Sequence, residues 1–340
     1  MRAAALGWLM SQGIALPLAA FILIGGIVFI SGTRLTRHAD AIAGTSALGR
    51  LWIGTLLLAA STSLPELTTD VAAAALRAPN LGIGDLMGSS LANMLILALL
   101  DLIYLRRRVL DDISRNHLMV GVLAIILTAL AGVDMAAGGW GALGPIGIGS
   151  ALIALIYLLG MRAVRAELPP ATPPVQLSLG ATRRTELRQA IIGFAVVTLV
   201  LGLATPALVL SAEALARVTG LGETFVGTLL VGLTTSIPEG VTIIAAVRLG
   251  ALDLAAGNVF GSNAFNMCIP LAMDLASPAG PVLPRAARAN LIGAQLAVLV
   301  TALILLRMLT PRSRAIGRWR VESLLVLIAY GAAAWLLAPG

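Results

Sequence analysis

The stretch Thr62-Ser63-Leu64-Pro65-Glu66 decides the architecture of this chain, because it is written again as Thr235-Ser236-Ile237-Pro238-Glu239. The position numbers of the two copies differ by 239 − 66 = 173, and an asparagine follows each glutamate at the same spacing, at Asn93 and Asn266. Both copies lie in long apolar segments, where a carboxylate beside a helix-breaking proline is costly unless it binds something. The repeat therefore predicts a twofold, intramembrane, oxygen-rich cation site.

The composition is that of an integral membrane protein. Hydrophobic residues make up 59% of the 340 residues and charged residues 11%, whereas roughly 25% of a soluble domain is charged. A membrane-spanning helix needs about 17–25 apolar residues. The length of the first apolar run, and its internal partner at the same offset in the second half, argue against a cleaved secretory signal. Ten windows are long enough to span: 13–32, 51–76, 83–105, 117–133, 141–161, 190–210, 223–247, 254–276, 288–307 and 321–338.

A polar stretch rich in proline and arginine divides these spans into five and five. It predicts a first repeat over 1–161, a linker over 162–189 and a second repeat over 190–340. Five is an odd number, so two halves with the same fold must cross the membrane in opposite senses, as in the inverted repeats of secondary transporters. The predicted fold class is an all-α membrane protein of ten transmembrane helices in two inverted five-helix repeats.

The basic residues predict the orientation of the chain in a cell membrane. All 23 are arginines, and 23 − 5 = 18 of them fall on the side of the linker. Under the positive-inside rule that side is cytoplasmic, so both termini face outward. This arrangement indicates contact with the headgroups of the lipid bilayer and excludes a nucleic-acid footprint. The five arginines on the other side are Arg2, Arg77, Arg217, Arg285 and Arg288.

The repeated motif offers oxygen ligands deep in the membrane. Each proline frees the backbone carbonyl four residues earlier, at Ser61 and Thr234, and such irregular backbone is tolerated only where it faces protein, water or an ion. The threonine and glutamate of each motif lie four residues apart and share a helix face. The glycines before Ser89 and Ser262 are expected to let span 3 approach span 2 and span 8 approach span 7. The four segments would form an all-oxygen cage of two carboxylates, two amide oxygens, up to six hydroxyls and several carbonyls.

Such a cage favours a hard cation. Ca²⁺ takes six to eight oxygens in flexible geometry, and Na⁺ ions would suit the same ligands. One cysteine, Cys268, excludes an intrachain disulfide, and with only two histidines it leaves no Cys/His metal cluster. No arginine falls in mid-span to pair with Glu66 or Glu239. We expect no cofactor, only transported ions.

The two motifs resemble those of the cation/Ca²⁺ antiporter superfamily, the sodium/calcium exchangers, whose repeats contain Gly-Thr-Ser-x-Pro-Glu and Gly-Asn-x-x-Gly-Ser-Asn-x-x-Asn. The resemblance is clearest over 48–100 and 221–273. It implies exchange of Ca²⁺ against Na⁺ by alternating access, in which spans 1 and 6 slide across the core. Carried over by position, the implied ion ligands are Thr62, Ser63, Glu66, Ser89, Asn93, Thr235, Ser236, Glu239, Ser262 and Asn266. The chain departs from the pattern at Asp85, where asparagine is usual.

Other functions stay open at this point. Because a buried glutamate can accept a proton, H⁺ is an alternative coupling ion on the same scaffold. A passive cation channel is a further alternative, whereas an intramembrane hydrolase is disfavoured because no histidine lies in the interior of a span. An enzyme is therefore not expected.

Three aspartates also have two interpretations each. Asp70 is either a third carboxylate that alters selectivity or binds a proton, or a helix-end residue facing water near Arg77. Asp101 and Asp274 either line vestibules to the cage or cap spans 3 and 8 at the membrane interface.

Overall fold

The fold is built almost entirely from helices. The computed structural model describes residues 2–45, 61–103, 110, 113, 116–167, 181–309, 315–316 and 319–338. The described helices are α1 Arg2–Ser11, α2 Ala15–Thr45, α3 Leu64–Ala75, α4 Pro79–Ile103, α5 Asn116–Ala137, α6 Ile148–Glu167, α7 Ala181–Thr219, α8 Glu223–Thr235, α9 Ile237–Leu249, α10 Leu252–Asn266, α11 Ile269–Ala276, α12 Arg288–Leu309 and α13 Val321–Leu337.

Several of these elements correspond between the two halves at the same offset as the two motifs. Shifted by 173, α4 covers 252–276, the range of α10 and α11, and α6 begins at 321, the first residue of α13. Even the small hairpins repeat. The strands β1 Ala142–Leu143 and β2 Ile146–Gly147 pair antiparallel, and β3 Ala315–Ile316 and β4 Trp319–Arg320 pair in the same register at the same offset. The prediction of two inverted halves is confirmed, and the duplication extends far beyond the motif.

The helices agree with ten spans. Six described helices are long and apolar enough to cross a membrane, or seven when α8 and α9 are taken as one bent span. The helix α13 is apolar but shorter, and α10 with α11 covers the predicted span 254–276 as two pieces. Residues 51–60 of the predicted second span and 168–180 of the predicted linker lie outside the described residues. The outer parts of that linker are helical, since α6 extends to Glu167 and α7 begins at Ala181.

Helix breaks occur where the motif prolines predict them. The helix of the first motif is interrupted at Ser63, which has φ −86° and ψ 7°, and α3 starts again with Pro65 in its first turn. In the second motif Ser236 has φ −82° and ψ 0°, and the axes of α8 and α9 differ by 45°. A further break between Asn266 and Ile269 was not predicted. Its sequence signal is Pro270, which lacks the amide hydrogen that a continuous helix needs.

The helices divide into a central and a peripheral set. The apolar window of α4 is 78% buried inside the protein, whereas that of α7 is 17% buried, so α4 lies at the centre and α7 at the edge. Buried residues of α2 and α7 form most of a second apolar cluster, distinct from the main core, which also takes in Leu81 of α4 and Val226 of α8. Where α2 meets the central set, Gly32 rests against both motif prolines, with Pro65 Cγ only 3.3 Å from the position of a Cβ on the glycine.

Candidate functional site

The helix breaks bring the first motif glutamate into contact with both halves of the chain. The side chain of Glu66 is fully buried. Its Oε1 accepts a hydrogen bond from Ser89 Oγ at 3.2 Å and from Ser236 Oγ at 3.3 Å. Ser89 follows in the same half, whereas Ser236 belongs to the other motif. Glu66 therefore stands at the interface of the two repeats.

The second motif glutamate lies close to the first. Glu239 is fully buried, and its carboxylate interacts electrostatically with that of Glu66. Neither oxygen of Glu239 accepts a hydrogen bond from the described residues within the usual distance limits, although the Thr62 hydroxyl lies near it. The Thr62 hydroxyl in turn lies 3.1 Å from Asn258 Oδ1 and 3.2 Å from Ser262 Oγ. The two glutamates thus converge, each beside hydroxyl groups of the opposite half.

The predicted asparagines lie on the same central helices. Asn93 donates from Nδ2 to Asn263 Oδ1 at 2.9 Å, so the amide groups of α4 and α10 contact each other directly. Asn266 ends α10 at the unpredicted break, and neither polar atom of its fully buried side chain has a hydrogen-bond partner among the described residues. The structure groups all ten predicted residues among buried side chains at the motif breaks and on α4 and α10. Their role as ion ligands stays a prediction.

Two further residues belong to this polar cluster. Asp85 is fully buried, and its Oδ1 accepts from Thr235 Oγ1 at 2.8 Å and from Ser89 Oγ at 3.4 Å. Asn258, which occupies the corresponding place in the second half because 85 + 173 = 258, bonds Thr62. The signal for both was present in the repeated Gly-Asp and Gly-Asn pairs. Sequence reasoning treats Asp85 as a departure from a pattern, whereas the structure places its charge directly beside a predicted ligand.

Asp70 adds a third carboxylate to the first half. It is fully buried in α3, so the interpretation as a helix-end residue facing water is wrong. Its carboxyl group lies within hydrogen-bonding reach of Asp85 and interacts electrostatically with Glu66. Neither of its oxygens accepts a hydrogen bond from a donor group in the described part of the chain.

Close backbone contacts hold the two halves together around these side chains. A Cβ on Gly84 would lie 3.0 Å from Thr224 O, and a Cβ on Gly88 would overlap the Thr228 carbonyl. Both contacts are with α8, the seventh predicted span. The expectation that these glycines bring span 3 against span 2 is therefore wrong. The missing side chains of these glycines allow α4 to pack closely against the opposite repeat. This close packing brings the carboxylate and hydroxyl groups of the two halves together.

Asp101 and Asp274 have structural partners. Asp101 Oδ2 lies 3.6 Å from Arg307 Nε and accepts from Ser323 Oγ at 2.9 Å. Asp274 accepts backbone hydrogen bonds from Gly147 at 2.9 Å and Val282 at 2.8 Å, so it ties two loops to the end of α11. Both aspartates are fully buried inside the protein, so neither faces the lipid, and both interpretations of their role stay predictions.

The donor set of the polar cluster fits a hard cation. Oxygens of Ser63, Glu66, Asp85, Asn93, Glu239 and Asn266 lack hydrogen-bond partners among the described residues, and they are buried in a core where an unpaired polar atom is expensive. Within the described ranges, no three Asp, Glu, His or Cys side chains are grouped so as to hold a metal ion. Hydroxyl and amide oxygens would therefore have to complete any coordination shell, as they do for Ca²⁺ and Na⁺.

Two inverted halves that meet in a buried, oxygen-lined cluster define a multi-pass membrane protein of the secondary-transporter type. A protein-family model described as "Sodium/calcium exchanger protein" matches residues 16–165 and again 189–338, and the chain belongs to this family.

Individual relatives agree with this assignment. The chain is 28% identical over 324 residues to the inner membrane protein YrbG of Escherichia coli K12, covering 94% of this chain and 96% of the relative. Among solved structures, the sodium-calcium exchanger NCX_Mj superimposes with a TM-score of 0.59 at 22% identity, covering 94% of this chain and 98% of that chain. The H⁺/Ca²⁺ exchanger CAX superimposes with a TM-score of 0.63 at 12% identity, covering 98% of this chain and 92% of that chain. At these identities the two structures are evidence for the fold alone.

Proposed function

We propose that this protein is a secondary antiporter that exchanges Ca²⁺ for Na⁺ across the membrane by alternating access. The observation that carries the proposal is the convergence of Glu66 and Glu239, one from each half, in a buried cluster rich in oxygens that lack hydrogen-bond partners among the described residues. The charges of Glu66 and Glu239 match that of one Ca²⁺, Asp70 and Asp85 add negative charge beside them, and the surrounding hydroxyl and amide oxygens replace the water shell of the ion. Family membership supports cation exchange, and the choice of Ca²⁺ and Na⁺ is our inference.

Alternating access assigns different tasks to the two sets of helices. The central helices carry the ligands and hold them through glycine contacts between the halves. The helices α2 and α7 pack most extensively on each other, and they also rest on α3, α4 and α8. Because they contribute none of the predicted ligands, we propose that they move together as a unit against the central helices. We propose that this unit covers the cage from one side of the membrane and then from the other.

Localisation follows from the same reasoning. We propose that the chain resides in the inner or plasma membrane, where its E. coli relative is described, with the linker cytoplasmic and both termini outside. A reporter that is active only in the cytoplasm, fused to either terminus, tests this orientation. Activity of the reporter at a terminus would contradict it.

Transport by purified protein in liposomes tests the proposed activity. Under an outward Na⁺ gradient without a pH gradient, ⁴⁵Ca²⁺ uptake is expected, and it should saturate with Ca²⁺. Uptake that needs no counter-ion on the opposite side would indicate a channel instead. Uptake driven only by a pH gradient would overturn Na⁺ coupling.

A proton-coupled exchanger is the second candidate, and a specific contact favours it. The carboxyl groups of Asp70 and Asp85 lie within hydrogen-bonding reach of each other, and neither has a basic partner among the described residues. A proton shared between them would relieve their repulsion in the absence of a cation. The reverse liposome experiment, with a pH gradient and no Na⁺, distinguishes this candidate from the first.

A further inference from the structure

Three pairs of buried residues outside the polar cluster correspond at the same offset, and in one of the pairs the charge is reversed. Asp101 corresponds to Asp274 and Ser150 to Ser323, because 274 − 101 and 323 − 150 both equal 173. Arg307 corresponds to Asp134, because 307 − 134 is also 173. The first cluster, Asp101 with Arg307 and Ser323, contains an acid and a base. The second, Asp274 with Asp134 and Ser150, contains two acids.

In the first cluster the charges compensate each other. Arg307 is fully buried and lies against Asp101, and the Ser323 hydroxyl donates to the same carboxylate oxygen. A buried carboxylate is stable in such a place only when it is paired and hydrogen-bonded. Here a guanidinium group supplies the positive charge.

In the second cluster no basic side chain takes that place among the described residues. Asp134 is 1% exposed and Asp274 is fully buried, and the two carboxylates interact electrostatically. The carboxylate of Asp134 occupies the space that a Cβ on Gly149 would take, and it accepts a hydrogen bond from the Trp140 amide at 3.0 Å. Backbone amides donate to both aspartates, but they do not cancel two charges.

The hydroxyl group of Ser150 points to the same spot. Ser150 is 1% exposed, and its Oγ has no hydrogen-bond partner among the described residues, whereas its counterpart Ser323 bonds Asp101. A Cβ built on Gly147 would lie 3.6 Å from Ser150 Oγ and 3.3 Å from Asp274 Oδ2. The hydroxyl and the carboxylate therefore face a common point, beside a residue that has no side chain to fill it.

We propose that Asp134, Asp274 and Ser150 form a second binding site for a divalent hard cation of the Ca²⁺ type, separate from the cage. The bound cation takes the place that the Arg307 guanidinium takes in the other half. Carboxylate and hydroxyl oxygens are suitable ligands for such an ion, and its charge matches that of the two aspartates. Because the halves are inverted, this site lies toward the membrane face opposite to Arg307.

The test uses the full-length protein in detergent with the cage disabled by Glu66→Gln and Glu239→Gln, so that it does not depend on the proposed function. Thermal unfolding is followed by tryptophan fluorescence during a Ca²⁺ titration. A ligand that binds only the folded state raises the midpoint in a saturable manner. We expect such a rise in the cage-disabled protein, and its absence from the folded protein would overturn the proposal.

Further substitutions in that background locate the response. Asp134→Asn should abolish the Ca²⁺-dependent rise, and Asp134→Arg should make the midpoint independent of Ca²⁺ by supplying the charge that Arg307 supplies. Ser150→Ala should raise the half-saturating Ca²⁺ concentration by roughly two- to tenfold, as the loss of one hydroxyl ligand would. The matched control Ser323→Ala should leave the response unchanged. A response that survives both Asp134→Asn and Ser150→Ala, or one lost equally in Ser323→Ala, would refute the site.

Discussion

The two halves of this protein share a backbone but differ in charge. The glutamates Glu66 and Glu239 correspond and occupy similar buried positions at a helix break. One turn further along, Asp70 corresponds to Ile243, and on the next helix Asp85 corresponds to Asn258. The first half therefore brings three carboxylates to the cluster and the second half one. Inverted repeats fix where ligands can stand, whereas each half can change its ligands independently.

The largest expected effect comes from the glutamates that the halves share. Glu66→Gln and Glu239→Gln should each reduce ⁴⁵Ca²⁺ exchange in liposomes by roughly 100-fold or more, since losing one charged partner of a buried ion costs about 3–5 kcal/mol. Equal losses would show that both halves supply the same ion. Intact exchange in either variant would remove that glutamate from the site.

The contact between the halves gives the next largest effect. In Gly88→Ala the new Cβ would overlap the Thr228 carbonyl, which is backbone and cannot rotate away, so we expect a loss of about 1–3 kcal/mol of stability and displaced ligands. The measurement is the unfolding midpoint together with exchange activity. The control is Gly202→Ala on α7, which has nothing within 4 Å of the new atom and should unfold no earlier than the parent. Equal behaviour of the two variants would contradict the interlocked packing.

Exchanging the unequal pair tests the charge difference directly. Asp85→Asn makes the first half like the second at this position. We expect it to raise the half-saturating Ca²⁺ concentration of exchange by about 10- to 100-fold, because a carboxylate beside the predicted ligands is lost. Asn258→Asp should lower the half-saturating Ca²⁺ concentration, and the double variant should have a value close to that of the parent. If Asp85→Asn left the half-saturating Ca²⁺ concentration unchanged, the extra charge would have no role in binding.

The smallest effect is expected at Asp70, which interacts with Glu66 but hydrogen-bonds none of the ten predicted ligands. Asp70→Asn should keep Ca²⁺ exchange within roughly tenfold of the parent, because Asp70 is not one of the predicted ligands and would act on the ion only through its charge. It should also flatten the dependence of exchange on pH, since the Asp70 and Asp85 pair can no longer share a proton between two carboxylates. Rates measured across a pH series test this. Ile243→Val, at the corresponding apolar place, should leave the pH profile unaltered.

Much of the fold could be predicted from one repeated motif. The breaks at Ser63 and Ser236 follow from the prolines beside them, because a missing amide hydrogen acts locally and in every context. The opposite orientation of the two halves follows from the odd number of spans predicted in each half. The break at Asn266 to Ile269 has the same kind of signal in Pro270 but was not predicted, since the corresponding residue of the first half is Leu97 and α4 continues through it.

The details of the site were harder to predict because they depend on contacts between the halves. Sequence spacing shows which residues share a helix face, but it does not show which face meets which helix. The glycines before Ser89 were therefore assigned to the wrong neighbour. Arg307 counts among the loop arginines in the sequence and lies far from Asp101 along the chain, so their buried ion pair could not be recognised before the fold was known.

The position of Gly32 has a mechanical consequence for the proposed exchange. At this residue α2 packs against both motif prolines. Because Gly32 has no side chain, α2 can lie directly against the two broken helices. Because Gly32 contacts both prolines, a movement of either helix break changes the packing at this one residue of α2. In the proposed alternating access, a side chain at residue 32 would obstruct this contact and slow the exchange, although Gly32 is not among the predicted ion ligands.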